Sequence, residues 1–131
     1  MKKALLSIII SFVLISCQKS TSLPESAIAT PIERGWANAV EEQKNDGVLI
    51  YRPFGYKELP LLRYRHSFIF EQNGQGKTYV LAPHDGHYYE PISWDYHITT
   101  HTLIIGNAKT GAIRYKVLEL ADNILKLKQL E

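Results

Sequence analysis

From about residue 36 onward, short apolar runs alternate with turn signals, the pattern of an all-β domain. Strands are predicted near 36–43, 48–52, 63–71, 77–82, 93–98, 102–106, 112–120 and 124–129. Asn45-Asp46-Gly47 turns the first pair and Asn73-Gly74-Gln75-Gly76 the third and fourth, while Asn107 to Gly111 and Ala121-Asp122-Asn123 make the later turns. Asn, Asp and Gly suit such places because they tolerate positive φ or bond their own backbone. Period-two alternation is clearest in Tyr64, His66, Phe68 and Phe70, with Arg63, Arg65, Ser67 and Glu71 on the opposite face. Leu118 and Leu120 are expected to face Leu125 and Leu127 across the final turn. Ahead of the strands, Thr30-Pro31-Ile32-Glu33 has the order of a helix N-terminus, with a cap, Pro at the first position and Glu three residues after the cap. Gly35 interrupts that face, so a short helical turn followed by a strand from Trp36 is predicted.

Eight strands is the number at which a closed barrel is just wide enough for side chains or one small ligand. The predicted fold is therefore a single eight-stranded antiparallel up-and-down barrel over 34–131. In that topology the two long connections, Pro53–Leu62 and Pro83–Ile92, fall at one end, which is the predicted mouth. The first strand starts there too, so the segment preceding it is expected to leave from the mouth.

That preceding segment has its own character. Met1-Lys2-Lys3 is followed by an uncharged run from Ala4 to Ile15, too short for an ordinary membrane span and laid out as an export signal. Leu14-Ile15-Ser16-Cys17 resembles the lipobox of bacterial lipoproteins. The resemblance implies a signal peptide over 1–16 and a lipidated Cys17 carrying palmitate-type acyl chains as the first mature residue; the Ser/Thr-rich stretch that follows, with Pro24 and no apolar periodicity, reads as a flexible tether, 17–33 in all. Gln18 stands where an Asp marks inner-membrane retention in many such proteins. The resemblance thus implies an outer-membrane lipid anchor in the cell envelope, on the periplasmic face. Several acyl chains make such anchoring stable where one is marginal.

Within the barrel region, Trp36, Glu41-Glu42, Tyr51-Arg52-Pro53, the Pro60–Arg63 stretch, Arg65 to Phe70, Trp94 and the closing Tyr115–Leu127 hairpin look like small bacterial lipocalin-like domains. The likeness covers roughly 34 to 130. It implies a fold and a ligand-holding interior, and no particular activity.

Charge narrows the chemistry. Removing Lys2 and Lys3 from the 15 basic residues leaves 13 against 13 acidic ones, so nothing favours nucleic acid, whose binding rests on phosphate charge. One Cys excludes an internal disulfide. Ser67 and Ser93 lack a nucleophile-elbow setting and Glu41-Glu42 are adjacent, hence on opposite strand faces, so no catalytic residue and no enzyme activity is expected. His84, His87 and Glu90 are of types that ligate zinc, but Asp85-Gly86 reads as a turn and no metal or other cofactor is assigned. His97 and His101 flank a predicted turn that separates them. Arg52, Arg63 and Arg65, near Lys57, could hold an acidic head group or pair internally with Glu41, Glu42 or Glu71. Tyr51, Phe54, Tyr56, Tyr88, Tyr89 and Tyr96 suggest an aromatic rim or ordinary sheet packing.

The function expected is a membrane-anchored barrel binding a small amphipathic or lipid-derived molecule. Tyr64, His66, Phe68, Phe70, Tyr79, Leu81, Trp94 and Tyr96 are expected to line it, with Arg52 and Arg63 at the mouth. The alternative is a cell-envelope interaction module, an inhibitor or assembly factor, that binds a protein through its long loops. One test applies to the anchor itself. Expressed in a bacterium fed an alkyne fatty acid, the full chain should become labelled and fractionate with membranes, and Cys17→Ser should lose both properties. Equal labelling of the variant would contradict the lipobox reading.

Overall fold

The computed structural model describes residues 31–131 apart from Arg63. The segments expected to form a signal peptide and tether, with Cys17 between them, lie up to residue 30 outside the described residues. Eight strands form one closed antiparallel barrel: β1 (Gly35–Asn38), β2 (Val48–Pro53), β3 (Ser67–Phe70), β4 (Gln75–Leu81), β5 (His87–His97), β6 (Thr102–Asn107), β7 (Gly111–Ala121) and β8 (Ile124–Gln129). Single 3-10 turns at Val40–Glu42, Gln72–Gly74 and Pro83–Asp85 complete the structure.

Strands β3 to β8 run up and down in chain order, each paired with the next. The first hairpin closes the barrel in the reverse sense to a simple meander: β1 pairs with β3, and β2 pairs with β8. Consequently β2 and β3 run in the same direction, and residues 54–66 must travel the length of the barrel between them. Arg65 fastens this crossing, donating to the carbonyls of Asn38 (2.6 Å) and Pro60 (2.7 Å) and to both oxygens of Glu41 (2.8 and 2.9 Å). Arg52 forks onto Glu42 in the same way (2.6 and 2.9 Å) and reaches the Asn123 carbonyl. Planar guanidinium forks suit such bidentate duty.

This strand order corrects the expected position of the loops. The connection 82–86 lies at the end of the barrel opposite the start of β1, and 54–66 begins at one end and finishes at the other. The mouth is therefore not at the end from which the N-terminal segment leaves. That end is closed instead. A turn at Pro31–Ile32, rather than helix, folds Ile32 into the core, where its carbonyl accepts a 3.0 Å bond from Trp36 Nε1. Trp36 and Ile32 are fully buried, and Phe70, Leu103, Leu125 and Leu127 join them with 2% exposure or less.

Three local departures have local causes. Strand β1 stops at Asn38, because its side chain bonds Gln43 Oε1 and the Ile50 carbonyl and so turns the chain into the 3-10 segment. Strand β5 begins at His87, six residues before the expected start, despite Pro91. Its first half pairs with β4, while pairing with β6 starts only at Ser93, and Pro is tolerated on a stretch with one free edge. A bulge between Val117 and Glu119 puts Leu118 outside at 49% exposure, so Val117 and Leu120, not Leu118 and Leu120, share a face with Leu125 and Leu127. Such an extra residue shifts alternation by one.

Gly76 occupies an inward position opposite Phe70 and Ile92. A Cβ there would stand 2.3 Å from the Ile69 carbonyl oxygen, so the site admits only glycine without a backbone shift. The closed end carries most of the packing. Leu125→Ala should lower stability by about 2–5 kcal/mol, the usual cost of a large-to-small core change, measured as the urea midpoint; a loss under 1 kcal/mol would show that this end is not the packed core.

Candidate functional site

Register decides which side chains face the interior. Phe68 pairs with Thr78 and Phe70 with Gly76, so Gly76, Thr78 and Val80 of β4 point inward. Tyr79 and Leu81, expected as lining residues, point outward. The cause is the two-residue period of the strand: one position of offset moves every side chain to the other face. Of the other expected lining residues, His66, Phe68, Phe70, Trp94 and Tyr96 share the inward face. Phe70 is consumed in packing, as is Trp94, whose indole donates to the carbonyls of Glu71 and Gln75. Tyr64 lies outside, stacked on His87 at 5.3 Å and bonded to the Tyr79 carbonyl. Arg52 is held by Glu42, and Arg63 lies outside the described residues.

At the end away from Trp36 the interior is not filled. A cavity of about 200 Å³ opens there, walled by Phe68, Val80, Ile92, Ile105, Ile113 and Tyr115, with His66, Thr78, Glu90, Asn107 and Thr110 as its polar members. A wider concavity of about 360 Å³, lined by charged residues of both signs, lies on the outer surface of β2, β7 and β8.

The polar groups around the cavity are satisfied in an ordered way. Thr78 donates its hydroxyl to the Ser67 carbonyl (3.2 Å) and so accepts from His66 Nε2 (3.1 Å). That assigns the imidazole proton to Nε2 and leaves Nδ1 to accept from Tyr51 Oη at 3.1 Å, since a neutral imidazole offers one donor and one acceptor. Burial pushes the His66 pKa below its ordinary value and that of the Tyr51 phenol upward. His66 is thus a neutral, fully bonded wall residue.

The mouth is built differently. The β5–β6 ladder ends at Ser93 opposite Gly106, and beyond it side chains bridge the gap. Glu90 points inward and accepts from Asn107 Nδ2 (2.9 Å), Tyr88 Oη (2.9 Å) and the Lys109 ammonium. Lys109 and these two donors hold its carboxyl at about 2. Lys109 also lies over the Tyr88 ring, 5.2 Å from its centroid.

The histidines noted in the sequence do not converge. His84 sits in the turn after β4 at φ 72, His87 stacks outward on Tyr64, and Glu90 is engaged inside. His97 pairs with Asp95. Among the described residues no group of three or more His, Cys, Asp or Glu is placed to hold a metal ion, and no helix is long and apolar enough to cross a membrane. Glu90, Asn107, Ile105, Ile113 and Tyr115 were missed as lining residues. The signal for Glu90 was present: Tyr88, Glu90 and Ile92 continue the alternation of Trp94 and Tyr96, and only Pro91 hid it.

Comparison with protein-family models, curated proteins and solved structures finds no match. The chain forms a small eight-stranded antiparallel β-barrel with one packed end and one hollow end.

Acid should expose the pairing scheme. His66 titrates below its ordinary 6.5 in the folded state, so the unfolded chain binds that proton first and stability declines as pH falls below about 6.5. Glu41, held by Arg65, and Glu90 sit at about 2 against an ordinary 4.5. Their contribution is complete above about pH 4.5 and lost as pH falls towards 2. The melting temperature should therefore fall in two stages, and Glu41→Gln should be less stable than the parent at pH 7 but equal to it near pH 2. A constant difference at both pH values would contradict the Glu41–Arg65 assignment.

Proposed function

We propose that the chain is a membrane-anchored, lipocalin-like lipoprotein whose barrel binds a small amphipathic molecule. The observation that carries this reading is the apolar cavity beside Phe68, Ile92, Ile105 and Ile113 with a polar mouth at Glu90 and Asn107. Ligand sites are mostly apolar concavities with a few placed polar groups. The volume limits what can enter. Typical drug-sized sites begin at about 300 Å³, whereas an apolar cavity of about 150 Å³ holds benzene. The ligand portion inside is thus one ring or a short alkyl segment, and a whole lipid is too large. A lipid-derived ligand would insert one end only. Cys17 supplies the anchor in this reading, with the envelope and the outer membrane as its setting.

The alternative, a protein-interaction module acting through its long loops, draws on a specific observation as well. Leu61 is fully exposed, Leu62 and Phe54 are about half exposed on the crossing segment, and Leu81 and Tyr89 are half exposed beside the outward Tyr64–Tyr79–His87 cluster. Exposed apolar groups in number mark association surfaces. The interior reading is favoured because the cavity combines enclosure with directed polar groups, which the loop surface does not.

Val80→Phe tests the interior directly by filling the cavity from an inward β4 position. Calorimetric titration with benzyl alcohol should show one site on the parent and none on the variant. Saturation at about 100 times Kd corresponds to about 2.7 kcal/mol of stabilisation, readable as a rise of several degrees in melting temperature. Equal binding by Val80→Phe would place the ligand elsewhere, and no binding by the parent would favour the loop surface.

A further inference from the structure

Glu90 is an unusual residue to turn into a barrel. A carboxylate removed from water is costly unless it is paired and hydrogen-bonded. An apolar residue at that position would have continued the wall made by Ile92. Glu90 is 13% exposed, and it is the one charged side chain among the described residues lining the cavity. His66, beyond Thr78 on the same side of the cavity, is neutral, with both ring nitrogens bonded. The cavity therefore presents a single fixed negative charge at the edge of an apolar space.

Its third donor differs from the other two. Asn107 ends β6 and Tyr88 lies within β5, so both are held by the sheet. Lys109 comes from the β6–β7 turn, and its side chain is 66% exposed even while it reaches Glu90. Releasing it uncovers the carboxylate and the Tyr88 ring together, and the ammonium returns to water with little packing lost. The vacated place offers an anion at hydrogen-bonding distance, an aromatic face for a cation and apolar walls directly behind.

Building on the binding reading above, we propose that the ligand class is a small primary amine with a compact apolar tail. Its ammonium takes the place of Lys109 on Glu90, and its tail enters against Phe68, Ile92, Ile105 and Ile113. Lys109 is then a built-in stand-in that keeps the charge paired in the empty barrel and leaves when the ligand arrives. A carboxylate ligand would meet Glu90 at the lip and be repelled.

Three probes of one shape test this on the full mature chain: benzylamine, benzyl alcohol and benzoate, titrated calorimetrically at pH 7 and low salt. Benzylamine is expected to bind several-fold more tightly than benzyl alcohol to the parent, where its ammonium exchanges for that of Lys109, and about tenfold or more tightly once Lys109 is absent, the scale of a hydrogen bond to a charged group. Lys109→Ala, which removes the competitor, should strengthen benzylamine binding several-fold and leave benzyl alcohol unchanged. Glu90→Gln should abolish the preference for benzylamine over benzyl alcohol, with a circular-dichroism spectrum and cooperative melting like the parent's reporting an intact barrel. Preference for benzoate, lost in Lys109→Ala, would overturn the proposal in favour of an anionic ligand. Benzyl alcohol and benzylamine binding alike to the parent would overturn the amine assignment while leaving the cavity reading standing. Failure of all three probes to bind would overturn both.

Discussion

An eight-stranded barrel has an interior only about as wide as the side chains that point into it, and where the bulky ones fall decides which part is solid. Here they fall at one end. Trp36, Phe70, Leu103 and Leu125 converge there, and Ile32 folds in from outside the sheet to complete the layer. At the other end the inward positions carry Thr78, Val80, Glu90 and Asn107, which are shorter or polar, and space remains. The reversed first hairpin keeps the two ends distinct. It sends 54–66 along the barrel wall and brings Glu41 and Glu42 to the guanidinium groups of Arg65 and Arg52.

Polar groups at the hollow end obey the same economy as the core. The relay from Tyr51 through His66 and Thr78 to the Ser67 carbonyl leaves no donor without an acceptor. It also fixes the ring that forms part of the wall. Glu90 is satisfied by two sheet-borne donors and one from a turn, where the ladder between β5 and β6 has already stopped. Backbone pairing makes the packed end rigid, while side-chain bridges close the mouth. Side-chain bridges open at lower cost than a ladder.

Much of the architecture was legible in the alternation. All eight strands, the closed antiparallel barrel and the turn at Asn73-Gly74 were readable from period and turn chemistry. The order of closure was not, because Gly35–Asn38 can pair with either neighbour and nothing local distinguishes them. That choice depends on which partner lets Trp36 and Phe68 pack together across the β1–β3 pair. The site was legible only in part. His66 and Phe68 were found because they alternate with Phe70, whereas Tyr64, the next in that series, falls outside because the regular strand begins only at Ser67. Tyr79 and Leu81 were misplaced because an aromatic and an aliphatic residue two apart look alike whichever face they occupy. Glu90 escaped because Pro91 beside it reads as a strand breaker, although only the β4 side of that stretch is paired.

Unoccupied apolar space lies at one end of the barrel and not the other. Methyl-resolved NMR of the protein titrated with benzene measures this most directly. Shift changes should be confined to the methyl groups of Val80, Ile92, Ile105 and Ile113, with those of Ile32, Leu103 and Leu125 unmoved. Changes centred on the latter three, or none at all at saturating benzene, would contradict it.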